Sequence, residues 1–268
     1  MQNNGLGSLS RLAMDGCENL ESLPEGWFPT ANFTKFGING CKKLEPLPDH
    51  PYNNNHLASL EELGLSSSAM GTGLLSHILD EGSSSSFTNL TLLTLSNFDI
   101  GKLCGLHRLS SLRKLELWYC DGVSFPEDGM LSLPSSLITL EIGWFQNLEK
   151  LSLKDFQYLV SLEELGILSC PKLRSISELG QLPSLLKLQI DRCPKLASFP
   201  KQGLPPSLLE LSILDCPSLA SFTEQGLPPS LLRLEITNCP KLKRGCEKGK
   251  GQYWRFIAHI PEVRIVGL

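Results

Sequence analysis

Leu185-x-x-Leu188-x-Ile190-x-x-Cys193-Pro194-x-Leu196 is one of four copies of a single phrase. The others run from Leu162 to Leu173, from Leu208 to Leu219 and from Leu231 to Leu242, with the same residue types in register. Their cysteines, Cys170, Cys193, Cys216 and Cys239, are spaced by 23 residues each time. Inside a copy, Leu188 and Ile190 alternate with polar residues, which is the period of a short strand with one face buried. Leu185 before the strand and Leu196 after the turn also point inward. One such unit cannot cover its own apolar side, so it must stack on its neighbours, with strands paired in parallel at about 4.8 Å.

A fixed period in the twenties with this spelling is the signature of leucine-rich repeats. Looser copies precede the four strict ones. They carry Leu6, Leu9, Leu12, Met14, Cys17 and Leu20; Phe33, Phe36, Ile38, Cys41, Leu44 and Leu47; and Leu57, Leu60, Leu63 and Leu65 without a cysteine. Next come Leu90, Leu93, Leu95 and Phe98, then Leu112, Leu115, Leu117 and Cys120, then Leu137, Leu140 and Ile142 with Phe145 in the cysteine slot. The expected fold is an α/β-type repeat solenoid, a leucine-rich-repeat horseshoe. Its concave parallel β-sheet has about ten strands over roughly 45 Å of arc. The convex side is expected to be mostly irregular, because return segments such as 199–207 are short and proline-rich.

Residues 1–245 form the expected array. A turn-rich insertion lies at 48–55 and a longer one near 66–86, with a short helix at 73–80 and a flexible serine tract at Ser83 to Ser86. Residues 246–268 form a C-terminal cap. There Tyr253, Trp254, Phe256, Ile257 and Ile260 fold over the last repeat, and Val263 to Val266 adds a final strand. No polar cap precedes the first repeat, so the array is expected to be truncated at its N-terminus and to continue a longer protein.

The 268 residues carry a net charge of −4, which argues against nucleic acid as the main partner. No apolar run approaches the roughly 18 residues of a membrane span, and Met1 to Gly5 has no secretory-signal character. Seven of the nine cysteines (17, 41, 120, 170, 193, 216 and 239) occupy one repeat slot, so packing rather than chemistry explains them. No Cys-x-x-Cys pair is present and no zinc site is expected. A buried thiol ladder suits a reducing compartment, cytoplasmic or nuclear. The five histidines are scattered, and none joins a serine or cysteine in a nucleophile arrangement. His77 reads as helix surface. The expected protein is not an enzyme and holds no metal or cofactor.

Binding is the remaining class. Residues between the inward leucines face the concave surface. They include Arg113, Lys114, Glu116, Trp118 and Tyr119, then Thr139, Glu141 and Trp144, and further on Lys187, Gln189, Asp191, Arg192, Glu210, Asp215, Arg233 and Glu235. Two tryptophans one rung apart and a tyrosine on an exposed sheet point to a protein partner. The competing reading has the insertion or a bulge fold over them. The charges also have a plainer reading, cross-strand ion pairs worth a few tenths of a kcal/mol each.

The tail, Cys246-x4-Gly251-x2-Trp254-x2-Ile257-x-His259-Ile260-Pro261-x-Val263-x-Ile265, resembles the ending of plant coiled-coil NLR disease-resistance proteins. The Cys-Pro repeats and the Gly-Leu-Pro-Pro-Ser-Leu connectors at 203–208 and 226–231 resemble the same family, so the likeness spans essentially the whole chain. The resemblance implies a C-terminal leucine-rich-repeat domain that senses a pathogen effector or a guarded host protein. It also implies an intramolecular nucleotide-binding switch module as partner, held off until sensing occurs. The chain has no Gly-x4-Gly-Lys-[Ser/Thr] loop, so ADP or ATP would bind only in a module outside it. The alternative is a stand-alone repeat scaffold or decoy adaptor with no switch module.

Overall fold

The computed structural model describes residues 9–23, 32–46, 57–80, 87–125, 131–200, 202–223 and 226–267. Leu6, Leu47, the insertion at 48–55 and the serine tract at 83–86 lie outside the described residues. The chain forms two compact units, residues 1–120 with 131–134, and residues 121–130 with 135–268.

The first unit contains strands β1 (Arg11–Asp15), β2 (Lys35–Asn39) and β3 (Glu62–Ser66), helix α1 (Ala69–Leu79), and strands β4 (Leu92–Ser96) and β5 (Lys114–Trp118). The five strands pair in parallel in chain order. Their register aligns Leu12, Phe36, Leu63, Leu93 and Leu115 in one inward column, and Met14, Ile38, Leu65, Leu95 and Leu117 in the next. From β2 onward both columns are buried, while Leu12 is half-buried. Helix α1 starts earlier than its apolar residues suggested. The Ser68 hydroxyl accepts a hydrogen bond from the Gly71 amide at 3.1 Å and caps the first turn. Met70, Leu74, Leu75, Ile78 and Leu79 are buried beneath it. His77 is half-buried and lies edge-on to Phe87 at 6.4 Å.

The second unit contains β6 (Ser124–Phe125), β7 (Thr139–Gly143), β8 (Lys150–Ser152), β9 (Glu164–Leu168), β10 (Ser175–Ser177), β11 (Lys187–Asp191), β12 (Glu210–Leu214) and β13 (Arg233–Thr237). Helices α2 (Pro240–Gly245) and α3 (Trp254–Ile257) and strand β14 (Glu262–Val266) follow. Six strands pair in parallel in the order β7-β9-β11-β12-β13-β14. The inward columns are Leu140, Leu165, Leu188, Leu211, Leu234 and Val263, and Ile142, Ile167, Ile190, Ile213, Ile236 and Ile265. Each unit is therefore a leucine-rich-repeat solenoid. The ten repeat strands are the ten expected, and the tail contributes one more.

Every rung except that of β3, where Ser67 follows without a left-handed backbone, ends in the same way. The residue after the strand adopts a left-handed backbone: Gly16, Gly40, Asn97 and Tyr119 in the first unit, and Trp144, Ser169, Arg192, Asp215, Asn238 and Gly267 in the second. Its amide donates to the last strand residue of the next rung. Asn97 donates to Trp118 O at 2.9 Å, Ser169 to Asp191 O at 2.7 Å, Arg192 to Leu214 O at 3.0 Å and Asp215 to Thr237 O at 2.9 Å. This turn swings the chain inward to the cysteine slot.

The return side is more regular than its prolines suggested. In the second unit β6, β8 and β10 form a second parallel sheet of three short strands. Beneath it the Phe125 ring meets Phe145 and Phe156 edge-on at 6.2 and 6.1 Å. After β10 the pairing shrinks to an isolated bridge between Ser198 and Ser221. The returns there carry Pro200 and the pair Pro205-Pro206, which lack amide donors. Phe199 and Phe222 stack in their place at 6.1 Å, and Tyr253 of the cap closes on Phe222 at 5.1 Å. Tyr253, Ile257 and Ile260 are buried, and the Phe256 ring lies where a β-carbon on Gly226 would stand 2.5 Å away. Val263 and Val266 of the added strand remain 40% and 45% exposed.

In the cysteine slot, Cys41, Cys120, Cys170, Cys193, Cys216 and Cys239 are buried and reduced, and Phe145 fills the same place. Each of these sulfurs lies 3.2–3.6 Å from the carbonyl two residues earlier. In the second unit neighbouring thiols also interact with one another. That interaction pushes Cys193 and Cys216 up to about 12 and raises Cys239, while Cys170 is lowered. Burial raises Cys246 to about 11. Among the described residues no group of three His, Cys, Asp or Glu is placed to hold a metal ion.

Iodoacetamide at pH 8 should modify exposed Cys17 and Cys104 in the folded chain and reach the other seven cysteines only in denaturant. A thiol held near 12 is ionised at pH 8 only to roughly one part in ten thousand. Peptide mass mapping checks this, and rapid labelling of Cys193 would contradict a closed ladder. Asn97 is exposed with φ +62°. Replacing it by Val should cost about 1–2 kcal/mol, read as a lower urea midpoint, whereas Asn97→Gly should stay within about 1 kcal/mol of the parent.

Candidate binding surfaces

The outward residues of the strands form columns for the same reason as the inward ones. In the second unit the first column reads Thr139, Glu164, Lys187, Glu210, Arg233 and Glu262. Its charges alternate from Glu164 onward. Lys187 Nζ lies 2.8 Å from Glu164, and Arg233 pairs with Glu210. These contacts raise both cations above their ordinary values. In the next column Arg264 reaches Glu235 at 3.4 Å. Gly166 interrupts that column. A hollow of about 180 Å³ opens over it, lined by Glu141, Glu164, Lys187, Gln189 and Glu210 among others. Asp191, the last residue of β11, stands within the third column with its side chain 15% exposed, and Arg192 lies 3.7 Å away. Burial raises its carboxyl above the usual range, and among the described residues its Oδ1 has no donor.

In the first unit, Lys114, Glu116 and Trp118 share the outer face of β5. Lys114 Nζ lies 2.8 Å from Glu116, the Thr94 hydroxyl donates to Glu116 at 2.9 Å, and Trp118 Nε1 donates to it at 3.3 Å. Burial alone would raise the Glu116 carboxyl, but these three donors outweigh it and hold the carboxyl below its ordinary value. Trp118 is thus half-buried, with its indole tied to the sheet. Tyr119 follows in the left-handed position and is 49% exposed. Arg113 precedes the strand, with its amide bonded to Thr91 O at 2.8 Å.

Trp144 belongs to the second unit and occupies the position after its strand, the place Tyr119 takes in its own rung. The two tryptophans therefore hold different positions, one on a strand and one in the turn. Trp144 is 39% exposed and lines a trough of about 510 Å³ that runs along the strand ends. The left-handed residues Ser169, Arg192, Asp215 and Asn238 form one side of this trough, and Gln146, Pro171, Pro194 and Pro217 form its floor. A second trough of about 750 Å³ shares Asp215, Pro217 and Asn238 and reaches Pro240, Lys243, Arg244 and Glu247. Asn238 Nδ2 donates to Asp215 at 2.9 Å across its wall.

Of the residues singled out from sequence, Lys114, Glu116 and Trp118 meet on one face, and Lys187 and Arg233 lie on another with Glu141 at the nearby hollow. Trp144 and Arg192 line the trough. The proline floor was hidden in plain view. Its signal was the Cys-Pro dipeptide in four successive rungs, which places a ring at the same point every 23 residues.

No family model matches the chain. A stretch of 80 residues, 28% of the chain, is 41% identical to a provisionally named disease resistance protein of Arabidopsis thaliana, and spans 5% of that protein's length. Among solved structures, an internalin from Listeria monocytogenes is 16% identical, with 97% of this chain and 83% of that one covered and a TM-score of 0.41. A leucine-rich-repeat protein of Leptospira interrogans is also 16% identical, with 97% and 90% covered and a TM-score of 0.31. Among the described residues, no helix is long and apolar enough to cross a membrane.

Proposed function

We propose that this chain is the leucine-rich-repeat region of a plant coiled-coil NLR disease-resistance protein, which binds protein through its sheet face and regulates a nucleotide-binding switch module. The observation that carries this reading is the charged sheet face of the second unit. From β7 to β13 its inward columns are spent on the core, while Lys187, Arg233, Glu164, Glu210 and Glu235 are set at fixed rung spacing on an outer surface where they make only exposed cross-strand ion pairs. Such a surface gives a partner of complementary charge both register and specificity. The 41% identical stretch and the tail motif point the same way. On this reading the chain does no catalysis, and any ADP or ATP belongs to the switch module. Its partners are that module together with an effector or guarded host protein, in the cytoplasm or nucleus.

Mapping the 5′ end of the native transcript tests the first half. The open frame should extend upstream into a Gly-x4-Gly-Lys-[Ser/Thr] loop. A frame that starts at Met1 would instead favour the stand-alone scaffold. For the second half, the upstream module, expressed as a separate polypeptide, should bind this chain. The pair Lys187→Glu and Arg233→Glu should weaken that binding about tenfold, equivalent to about 1.4 kcal/mol, with the circular dichroism of the chain unchanged. Equal binding by the folded double variant would remove the sheet face from the proposal.

A further inference from the structure

We propose that the proline-floored trough of the second unit is a separate binding site, which takes an extended acidic peptide segment of a partner protein. It does not depend on what the sheet face binds.

Shape comes first. From the Trp144 rung to the Asn238 rung the trough crosses four strand intervals, about 19 Å at the sheet spacing, which matches about six residues of extended chain. The floor comes second. Proline rings are rigid, apolar and without an amide donor, so they offer a dry contact for alternate side chains of such a segment. Trp144 closes one end with a large, half-exposed ring. Polar groups follow one another along one side, Ser169, Arg192, Asp215 and Asn238, and Gln146 takes the proline position in the Trp144 rung.

Charge identifies the occupant. The chain as a whole is acidic, at −4, yet this edge is basic. In three of the four Cys-Pro rungs the residue after the proline is an exposed lysine, Lys172, Lys195 or Lys241. Exposed Arg192 lines the trough itself, and exposed Arg244 lines the second trough that adjoins it at Asp215 and Asn238. Against these five cations stand Asp215 of the trough, already engaged by Asn238, Glu247 of the second trough, and Asp191, which lies 3.7 Å from Arg192. A peptide can space its carboxylates to meet the cations and avoid these acids. A nucleic-acid strand, with a phosphate at every step, would meet Asp215 and Glu247 unfavourably.

The test uses the full chain and a phage-displayed library of random octapeptides. Enriched peptides are synthesised with a fluorescein label and measured by anisotropy. They should carry clustered Asp or Glu with an aromatic or aliphatic residue, and their binding should weaken as salt is raised. Affinity should fall at least tenfold in Arg192→Asp with Lys195→Glu, and again in Lys195→Glu with Lys241→Glu. The second pair lies outside the left-handed position and keeps the test open if the first misfolds. The sheet-face pair Lys187→Glu with Arg233→Glu should bind these peptides as the parent does, so a failure here is distinct from a failure of the sheet-face reading. The proposal is overturned if no peptide is enriched, if the enriched peptides lack acidic residues, or if the trough variants bind them unchanged. It is also overturned if a labelled twelve-residue oligothymidylate binds more tightly than any selected peptide.

Discussion

The parallel backbone ladder between successive strands is the constraint on which everything else in this protein rests. Because Lys187 is held opposite both Glu164 and Glu210, every residue of one rung stands about 4.8 Å from its counterpart in the next. A one-residue slip would turn Leu188 and Ile190 outward. Their burial, worth about 1.5–3 kcal/mol for each side chain, is what keeps the register from slipping. Between rungs the ladder continues one amide past the strand, through a left-handed residue everywhere but after β3, and so turns the rungs at the same point. Inward leucines, buried thiols, outward charges and floor prolines all become columns for that single reason.

Columns also change what individual residues do. Lys187 sits between two carboxylates on adjacent rungs, and its raised pKa means that its contribution is present at neutral pH and is lost only as pH climbs past the ordinary lysine range. Exposure to solvent keeps that contribution small. Glu116 behaves in the opposite sense. Its carboxyl is held low by Lys114, Thr94 and Trp118 against the effect of burial, so its contribution is present above the usual carboxylate range and is lost as pH falls through its folded value. The same arrangement protects the thiols. Cys193 interacts with like neighbours above and below and gains no cation that would stabilise a thiolate.

Much of this was legible in the chain. The period of 23 placed the inward columns, and Phe145 was recognisable as a substitute in the cysteine slot because Leu140 and Ile142 kept register around it. The tail strand was visible as Val263, Ile265 and Val266 beyond a broken repeat. Other features carry no periodic signal. Strands β6, β8 and β10 are two or three residues long, too short for alternation to show, and they exist because neighbouring rungs hold them in place. The start of α1 depends on one hydroxyl, Ser68, inside a run of serines that reads equally well as loop. Trp118 and Trp144 sit one residue apart in the repeat template, and that single step puts one on the sheet and the other in the trough. The prolines of the trough are visible in the sequence only as one letter of the repeated phrase, although a letter repeated at a constant interval also builds a surface.

The left-handed residues have a consequence of another kind. Their backbone serves the fold through φ and an amide, and their side chains point away from the core. Within this one chain the position is held by Gly, Asn, Tyr, Trp, Ser, Arg and Asp. Glycine takes this backbone freely and asparagine at small cost, while the other occupants bear about 1–2 kcal/mol each, already absorbed by the stacked rungs on either side. Exchanging one occupant for another therefore alters the wall of the trough while leaving its floor and the core untouched. That makes this column the place where a new binding preference could be acquired by single substitutions, each costing no more than about 1–2 kcal/mol of stability.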